Sequence, residues 1–302
     1  MSATSRMSDT PRMSARSRMS DTSRMSAKLR MRPWPLFVLA VVTILSGREA
    51  TAQEDFRSLD AGRPLKVTDA YPKKYLEWEF QFGLQGGWTE GGRKSAEGLI
   101  ELETGLFRNF EIGAGLEVAT QDDGTGATTG IGAVEIEALY NFNHEGWTWP
   151  AIAIQVDAQA PVGGDLSRED WAWGIDLILT RSFASRLRLH ANGGYVAASQ
   201  VDGDDYWRGG VAFDIPLGFS SRLIMGDLYA EIPVDTGPTR AWAELGTRVQ
   251  VTNLSVIDVG LSTRLDEWDR GDANIRLVVG FSRVFGIGGL MRVPDYPNPR
   301  IR

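Results

Sequence analysis

The sequence predicts an all-β fold, a transmembrane antiparallel up-and-down β-barrel of about twelve strands. Large apolar and polar residues trade places at every step from Leu76 to Gln85, and such a strand has one apolar and one polar face. The same alternation recurs along the chain, behind a leader typical of exported proteins. These observations favour a barrel of a bacterial outer membrane over the alternative, a soluble β-sandwich.

The front of the chain is a repeat followed by a predicted signal peptide. Residues 1–30 are five polar hexads that restart at Met1, Met7, Met13, Met19 and Met25. They are too polar to bury a core, so we assign them no fold. Residues 31–52 contain the apolar run from Leu36 to Leu45 and end in Ala50-Thr51-Ala52, which is typical of a cleavable export signal. The apolar run is too short to cross a bilayer as a helix.

Charge and cysteine content exclude several functions. Residues 1–52 contain nine Lys or Arg and three Asp or Glu, a balance of +6, so the −7 of the whole chain becomes −13 for the remainder. So acidic a protein does not favour nucleic acid as a partner. The chain has no cysteine, which excludes disulfides and thiolate chemistry.

The mature chain divides into a lead-in, a barrel and a tail. Residues 53–74 are polar and contain Pro64 and Pro72, which predicts an irregular periplasmic lead-in. Residues 75–285 form the predicted barrel, and residues 286–302 form a proline-bearing C-terminal tail. The twelve strand candidates lie at about 75–88, 95–106, 110–120, 131–142, 151–161, 170–180, 186–197, 206–217, 222–233, 241–251, 256–264 and 273–285. Their lengths are close to the ~9 to 11 residues of a tilted membrane strand.

Aromatic residues support this topology independently, because Trp and Tyr favour the boundary of a membrane. With the first strand running outward, one group falls near the outer rim: Trp88, Trp171, Trp173, Tyr195 and Trp207. A second group falls near the inner rim: Phe107, Phe110, Tyr140, Phe142, Trp147, Trp149, Phe183, Phe219 and Phe285. Short connections also alternate with longer ones that are rich in Asp and Gly, as periplasmic turns alternate with outer loops.

The alternation also predicts which charged residues line the lumen. If Trp78 and Phe80 contact lipid, the glutamates between and beside them must point inward, since a carboxylate in hydrocarbon costs kilocalories. Parity predicts this lumen-lining set: Glu77, Glu79, Glu101, Glu103, Glu117, Glu135, Glu137, Asp157, Asp176, Arg186, Arg188, His190, Arg208, Glu244, Arg248, Arg264 and Arg276. An acidic arc and a more basic arc are then expected to face each other and to filter solutes by charge. The alternative is a salt-bridge network that only holds the barrel together.

Catalytic, metal and cofactor sites are not predicted. A lipid hydrolase on a barrel needs a serine and a histidine together on the lipid-facing wall. The chain has only His144, in an inner connection, and His190, which parity places inside. It contains no nucleophile-elbow, phosphate-loop or metal-ligand motif. We therefore predict no enzyme and no cofactor.

Several segments resemble a known family. These are Arg63-Pro64-Leu65, Asp69-Ala70-Tyr71-Pro72, Phe110-Glu111-Ile112-Gly113 and Phe281-Ser282-Arg283-Val284-Phe285. Together they resemble the family of outer-membrane proteins linked to the meta-cleavage pathway of phenol degradation, over most of residues 60–285. The resemblance implies an outer-membrane transport protein for an aromatic hydrocarbon or a related compound, and it implies no catalytic residues.

The functional expectation is a narrow passive channel for small aromatic or charged solutes in the outer membrane, after removal of the signal peptide. Twelve strands lie between the eight that their own side chains fill and the 16 to 18 that leave a water channel. The alternatives are a closed structural or surface-interaction barrel and, third, a lipid hydrolase. The expected partners are outer-membrane lipid, a small solute and the barrel assembly machinery, since the last strand ends in the aromatic Phe285.

Overall fold

The computed structural model describes most of the chain from residue 56 to residue 286. The described ranges are 56–89, 92–122, 126–164, 166–183, 186–198, 205–218, 221–235, 237–266 and 273–286. The predicted leader, the signal peptide and the C-terminal tail beyond residue 286 lie outside them. Within these ranges, no helix has the length and apolar character needed to cross a membrane.

The strands close into a single barrel. They are β1 (Trp78–Trp88), β2 (Lys94–Phe107), β3 (Phe110–Asp122), β4 (Ala127–Asn143), β5 (Ala151–Ala160), β6 (Ala172–Phe183), β7 (Leu187–Ala197), β8 (Tyr206–Pro216), β9 (Arg222–Pro233), β10 (Arg240–Thr252), β11 (Ser255–Arg264) and β12 (Ile275–Phe285). Each strand pairs antiparallel with its sequence neighbours, and β1 pairs with β12 to complete the circle. The predicted twelve-strand up-and-down barrel is confirmed, and every predicted strand bound lies within four residues of the observed one.

The two faces of the sheet follow the predicted alternation. Along β1, Glu79 and Gln81 are 1% and 0% exposed, whereas Phe82 and Leu84 are 36% and 49% exposed. Polar side chains therefore point into the barrel and apolar ones point outward, the reverse of a soluble protein. This arrangement is the one required of a barrel surrounded by lipid.

The connections differ in length at the two ends of the barrel. At the hairpin end the strands are joined by residues 108–109, 144–150, 184–186, 217–221 and 253–254, and at the loop end by residues 89–93, 123–126, 161–171, 198–205, 234–239 and 265–274. The tightest turn, between β2 and β3, contains Asn109 with a φ of 63°, a conformation that Asn adopts more readily than most residues. Both ends of the barrel domain, β1 and β12, meet at the hairpin end.

Aromatic side chains form a ring at each end. At the loop end Trp171 stacks on Trp173, with ring centroids 5.5 Å apart, and Tyr195 packs against Trp207 at 5.0 Å. At the hairpin end the exposed aromatics are Phe107, Tyr140, Phe142, Trp147, Trp149 and Phe183. Phe219, predicted for the same ring, lies outside the described residues. The two rings have the positions expected of membrane boundaries.

The polypeptide that precedes the barrel lies inside it. We call residues 56–73 the lumen segment. The sequence predicts a periplasmic lead-in here, and the structure places its described part against the inner wall. An apolar cluster joins the segment to β8 and β9, and it consists of Leu59, Leu65, Val67, Ala212, Leu223 and Met225. The ring of Pro64 rests on Gly246 and Gly260, which are cross-strand neighbours, and a Cβ on either glycine would overlap that ring.

Membrane burial of the outer wall predicts depth-dependent costs along one strand. Leu245, near the middle of β10, and Val251, near its hairpin end, are both exposed on the outer wall. Leu245→Arg is expected to destabilise the folded protein in phospholipid by about 2–4 kcal/mol, and Val251→Arg by about 0–1 kcal/mol. Reversible urea unfolding in vesicles measures both. Equal costs for the two variants would contradict the placement of β10 across the membrane.

Candidate functional site: the charged lumen

Lys73 of the lumen segment neutralises carboxylates on two neighbouring strands. Glu79 of β1 and Glu103 of β2 are directly paired across the sheet and both point inward, an arrangement that is unfavourable for two like charges. The Lys73 Nζ lies 2.6 Å from Glu79, 3.2 Å from Glu103 and 2.9 Å from Asp60. Because Lys73 is buried, these ion pairs are shielded from bulk water and bind the segment to the wall.

Both members of the Lys73–Asp60 pair remain charged. Burial disfavours the charged form of each group, but the neighbouring opposite charges outweigh burial. Lys73, Arg63 and Arg248 hold the pKa of Asp60 below its ordinary value, while the carboxylates around Lys73 raise its pKa well above the ordinary value. The pair is therefore ionic at neutral pH.

Arg63 connects the lumen segment to β11, which lies beyond β12 from the strands that Lys73 contacts. Its guanidinium lies 2.9 Å from Asp60, 3.6 Å from Asp258 of β11 and 3.8 Å from Glu79, and its side chain is fully buried. Asp258 also pairs with Arg248 of β10, which donates to the Arg63 carbonyl at 3.3 Å. The segment is thus held by charges on three different strands.

A second ionic group anchors the start of the segment near the hairpin end. Asp214 of β8 is contacted by Arg57 at 2.8 Å and by Arg188 of β7 at 2.6 Å. Arg188 also lies 3.6 Å from Asp69 of the lumen segment. Two arginines therefore share one fully buried carboxylate, which joins the segment to β7 and β8.

His190 bridges a hydroxyl and a carboxylate. Its Nδ1 lies 3.0 Å from the Thr180 Oγ1 and its Nε2 lies 2.9 Å from Asp214. This order of groups is the one found in hydrolase triads, but Thr180 and His190 are only 0% and 2% exposed. The backbone N–H of Ala70 donates to the Thr180 hydroxyl at 3.0 Å, so the arrangement holds the lumen segment in place.

Arg208 of β8 neutralises two carboxylates across the lumen. Its guanidinium contacts Asp157 of β5 and Asp176 of β6. Among the described residues, Arg208 forms no salt bridge with the glutamates of β2, β3 and β4.

A cavity of about 340 Å³ remains between the lumen segment and the wall. Its charged lining consists of Asp60, Lys66, Glu97, Glu101, Glu103, Glu111, Glu117, Glu135, Glu137, Asp157, Asp176, Arg208, Glu231 and Arg276. Eleven acidic side chains and three basic ones therefore line the cavity. Tyr206 and Tyr229 line the side opposite the glutamates of β2–β4.

The Lys66 ammonium occupies the aromatic side of this cavity. It lies 5.4 Å from the centre of the Tyr229 ring and 5.2 Å from that of Trp242. The guanidinium of Arg276 lies 5.5 Å from the same Trp242 ring. Both contacts are within the range of cation–π attraction. The aromatic rings on this side of the barrel therefore attract the protein's own cationic side chains.

The structure separates the predicted lumen-lining residues into three groups. Nine line the cavity: Glu101, Glu103, Glu117, Glu135, Glu137, Asp157, Asp176, Arg208 and Arg276. Seven are buried elsewhere: Glu77, Glu79, Arg188, His190, Glu244, Arg248 and Arg264. Arg186 is exposed in the turn before β7 and offers only its backbone carbonyl, to Arg57, because that strand begins one residue later than predicted.

The acidic and basic arcs do not simply face each other across an open lumen, as the sequence predicts. Three of the six predicted lumen arginines have a local aspartate partner: Arg188 with Asp214, Arg248 with Asp258, and Arg264 with Asp266. The lumen segment lies between the two arcs. Whether the lining filters solutes by charge stays a prediction.

Sequence reasoning missed two kinds of functional residue. Asp214, Asp227 and Asp258 point inward, and the same parity argument could have identified them. Lys66 and Lys73 had no such signal, because the lumen segment has no strand period. Their contacts join residues that are distant in sequence. For example, the Lys66 backbone N–H donates to the carboxylate of Glu244 at 2.8 Å.

The closed antiparallel barrel with an apolar outer wall defines a transmembrane barrel of the outer-membrane type. No family model and no curated protein matches the chain, so the family resemblance noted above stays a prediction. Among similar solved structures is that of the COG4313 outer membrane channel from Pseudomonas putida F1, 13% identical over 75% of this chain and 100% of that chain, with a TM-score of 0.57. The KdgM porin is 11% identical over 69% and 99% of the two chains, with a TM-score of 0.48. At 13% identity the likeness to the COG4313 channel shows the fold alone.

Removal of the Lys73 ammonium is expected to leave buried carboxylates without a partner. Lys73→Met should destabilise the folded barrel by about 3–5 kcal/mol. The control is Lys74→Met, since the Lys74 side chain is 60% exposed and lies 3.8 Å from Glu77, and exposed pairs contribute about 0–1 kcal/mol. Urea unfolding monitored by tryptophan fluorescence distinguishes the two, and similar losses would contradict the anchoring role of Lys73.

Proposed function

We propose that this protein is a narrow passive channel of the outer membrane that passes small solutes through a negatively charged lumen. The observation that carries the proposal is the acid-lined cavity inside the barrel. Glu101 and Glu117 have neither a hydrogen-bond nor a salt-bridge partner among the described residues. Carboxylates without partners are tolerated inside a protein where water reaches them, and a hydrated lumen is what a channel requires.

The lumen segment sets the width of this channel. Its ionic anchors reach β1, β2, β8 and β11, and its apolar cluster fills the space beside β8 and β9. A solute must then pass between the segment and the glutamates of β2–β4. The cavity of about 340 Å³ is at the lower limit of ordinary small-molecule sites, which favours small solutes.

The lining supports a preference for cations and for molecules with an aromatic ring. Eleven acidic side chains surround the cavity against three basic ones, and such a lining concentrates cations. Tyr206 and Tyr229 offer ring faces on the opposite side. This agrees with the expectation of aromatic or charged solutes.

One observation favours the alternative of a closed structural or surface-interaction barrel. The carboxylates of Asp214 and Asp258 are fully buried and locally paired, as in a network that only stabilises the barrel. A closed barrel conducts no ions, so conductance separates the two functions.

Neutralisation of cavity carboxylates should reduce cation selectivity. Purified protein in a planar bilayer is expected to show discrete conductance steps with a preference for K⁺ over Cl⁻. Glu117→Gln combined with Glu135→Gln should lower that preference by about half, since lining charges determine selectivity. Glu169→Gln is the control, because Glu169 is exposed in the connection before β6. The absence of conductance steps in the folded wild type would reject the channel.

Deletion of the lumen segment should widen the channel. A variant that lacks residues 56–73 is expected to have a unitary conductance about twofold or more above that of the wild type, because twelve strands enclose more space than their own side chains fill. Heat-modifiable mobility on a denaturing gel verifies that the variant folds. An unchanged conductance in the folded variant would show that the segment does not obstruct the path.

A further inference from the structure

Three carboxylates of the cavity converge on one point. Oxygen atoms of Glu101, Glu103 and Glu137 all lie within 4.8 Å of one another. Calcium binds oxygen ligands at roughly 2.3–2.6 Å, so oxygens at this spacing can contact one ion placed between them. Glu101 and Glu103 are more than nine-tenths buried, which places the point inside the protein and away from the surface.

The sheet register produces this convergence. Glu103 of β2 and Glu137 of β4 both pair with Gly113 of β3, which lies between them. Residue 113 faces the lumen, and because it is a glycine it has no side chain there. The side chains of the two glutamates extend over it. A Cβ at residue 113 would lie 2.8 Å from the Glu137 Oε1 and 3.3 Å from the Glu103 Cγ. The glycine therefore leaves the space that the carboxylates occupy.

The protein's own cations do not complete the site. Lys73 reaches Glu103 at 3.2 Å but is shared with Glu79 and Asp60. Glu101 is 8% exposed and has no hydrogen-bond or salt-bridge partner among the described residues. Repulsion between the carboxylates is thus only partly compensated, and a bound cation would relieve the rest.

A buried amide adds an independent indication of a ligand. Gln81 is 0% exposed and pairs across the sheet with Glu101. Its Nε2 donates to Glu103, which brings the amide to the cluster, while its amide oxygen has no hydrogen-bond partner within the described part of the chain. Buried polar atoms without a partner are rare in proteins. An amide oxygen is a donor of the kind that hard cations bind.

We propose that Glu101, Glu103 and Glu137, with the Gln81 amide oxygen, bind a divalent cation in the lumen, and that the cation is Ca²⁺. All the proposed ligands are oxygen atoms, and oxygen ligands do not favour soft metal ions. Ca²⁺ accepts irregular geometry more readily than Mg²⁺. The nearby Lys73 ammonium opposes binding, so the affinity is moderate. The site does not depend on conduction, because a closed barrel would bind the ion equally.

Calorimetric titration with CaCl₂ tests the site. The full-length protein, folded in detergent and stripped with EDTA, is expected to bind one Ca²⁺ per chain at the cluster, with Mg²⁺ binding more weakly. Glu101→Gln should weaken binding at least about tenfold, because ligand charge tunes calcium affinity. Gly113→Ala should also weaken it while retaining every carboxylate. Gly115→Ala is the matched control: its Cβ would lie 3.5 Å from Leu99 and 3.8 Å from the Glu101 Oε1. Both are ordinary contacts that displace no carboxylate, so affinity should stay within about twofold.

Two results would overturn the proposal: no saturable Ca²⁺ binding by the folded wild type, or wild-type affinity in both Glu101→Gln and Gly113→Ala. Heat-modifiable mobility verifies that each variant folds, and Glu137→Gln replaces Glu101→Gln if the latter does not. Conductance is recorded separately in the same preparations. Calcium binding without conductance rejects the channel and retains the site, whereas conductance without calcium binding does the opposite.

Discussion

Neutralisation of the inward-facing carboxylates is the constraint on which the rest of the structure depends. The hydrocarbon outside forces every charged side chain of a strand to point inward, and an inward carboxylate then needs a cation or water. The strands supply part of the positive charge, as Arg208 does for Asp157 and Asp176. The lumen segment supplies the remainder through Arg63 and Lys73. Barrel and segment therefore stabilise each other.

This constraint is met differently on the two sides of the lumen. On the side of β8–β11, the segment combines ion pairs with apolar packing around Leu65 and Val67, and the Pro64 ring rests on Gly246 and Gly260. On the side of β2–β4, glutamates line open volume and outnumber the cations. One part of the lumen is filled like a protein core, and the other has the charge and space of a solute site. The structural interpretation describes the filled part of the lumen, and the channel interpretation describes the open part.

The sequence allowed the strands and their faces to be predicted because lipid imposes a two-residue period on every strand. The largest boundary difference is at β4, which starts at Ala127 because the hairpin continues until that residue pairs with Asp122; such polar strand ends carry no lipid signal. The lumen segment could not be placed, since its contacts, such as Arg57 with Asp214 across 157 positions, form only when the barrel closes. The cavity lining followed from parity, but the partners of its charges did not.

The strand number explains why such a segment is needed. Eight strands enclose a space that wall side chains fill, and sixteen or more leave an aqueous pore. Twelve strands leave an intermediate space that the wall alone neither fills nor opens fully. The lumen segment occupies part of this space, and glycines such as Gly246 and Gly260 make room for it on the wall. The remaining volume therefore depends on where the segment is anchored.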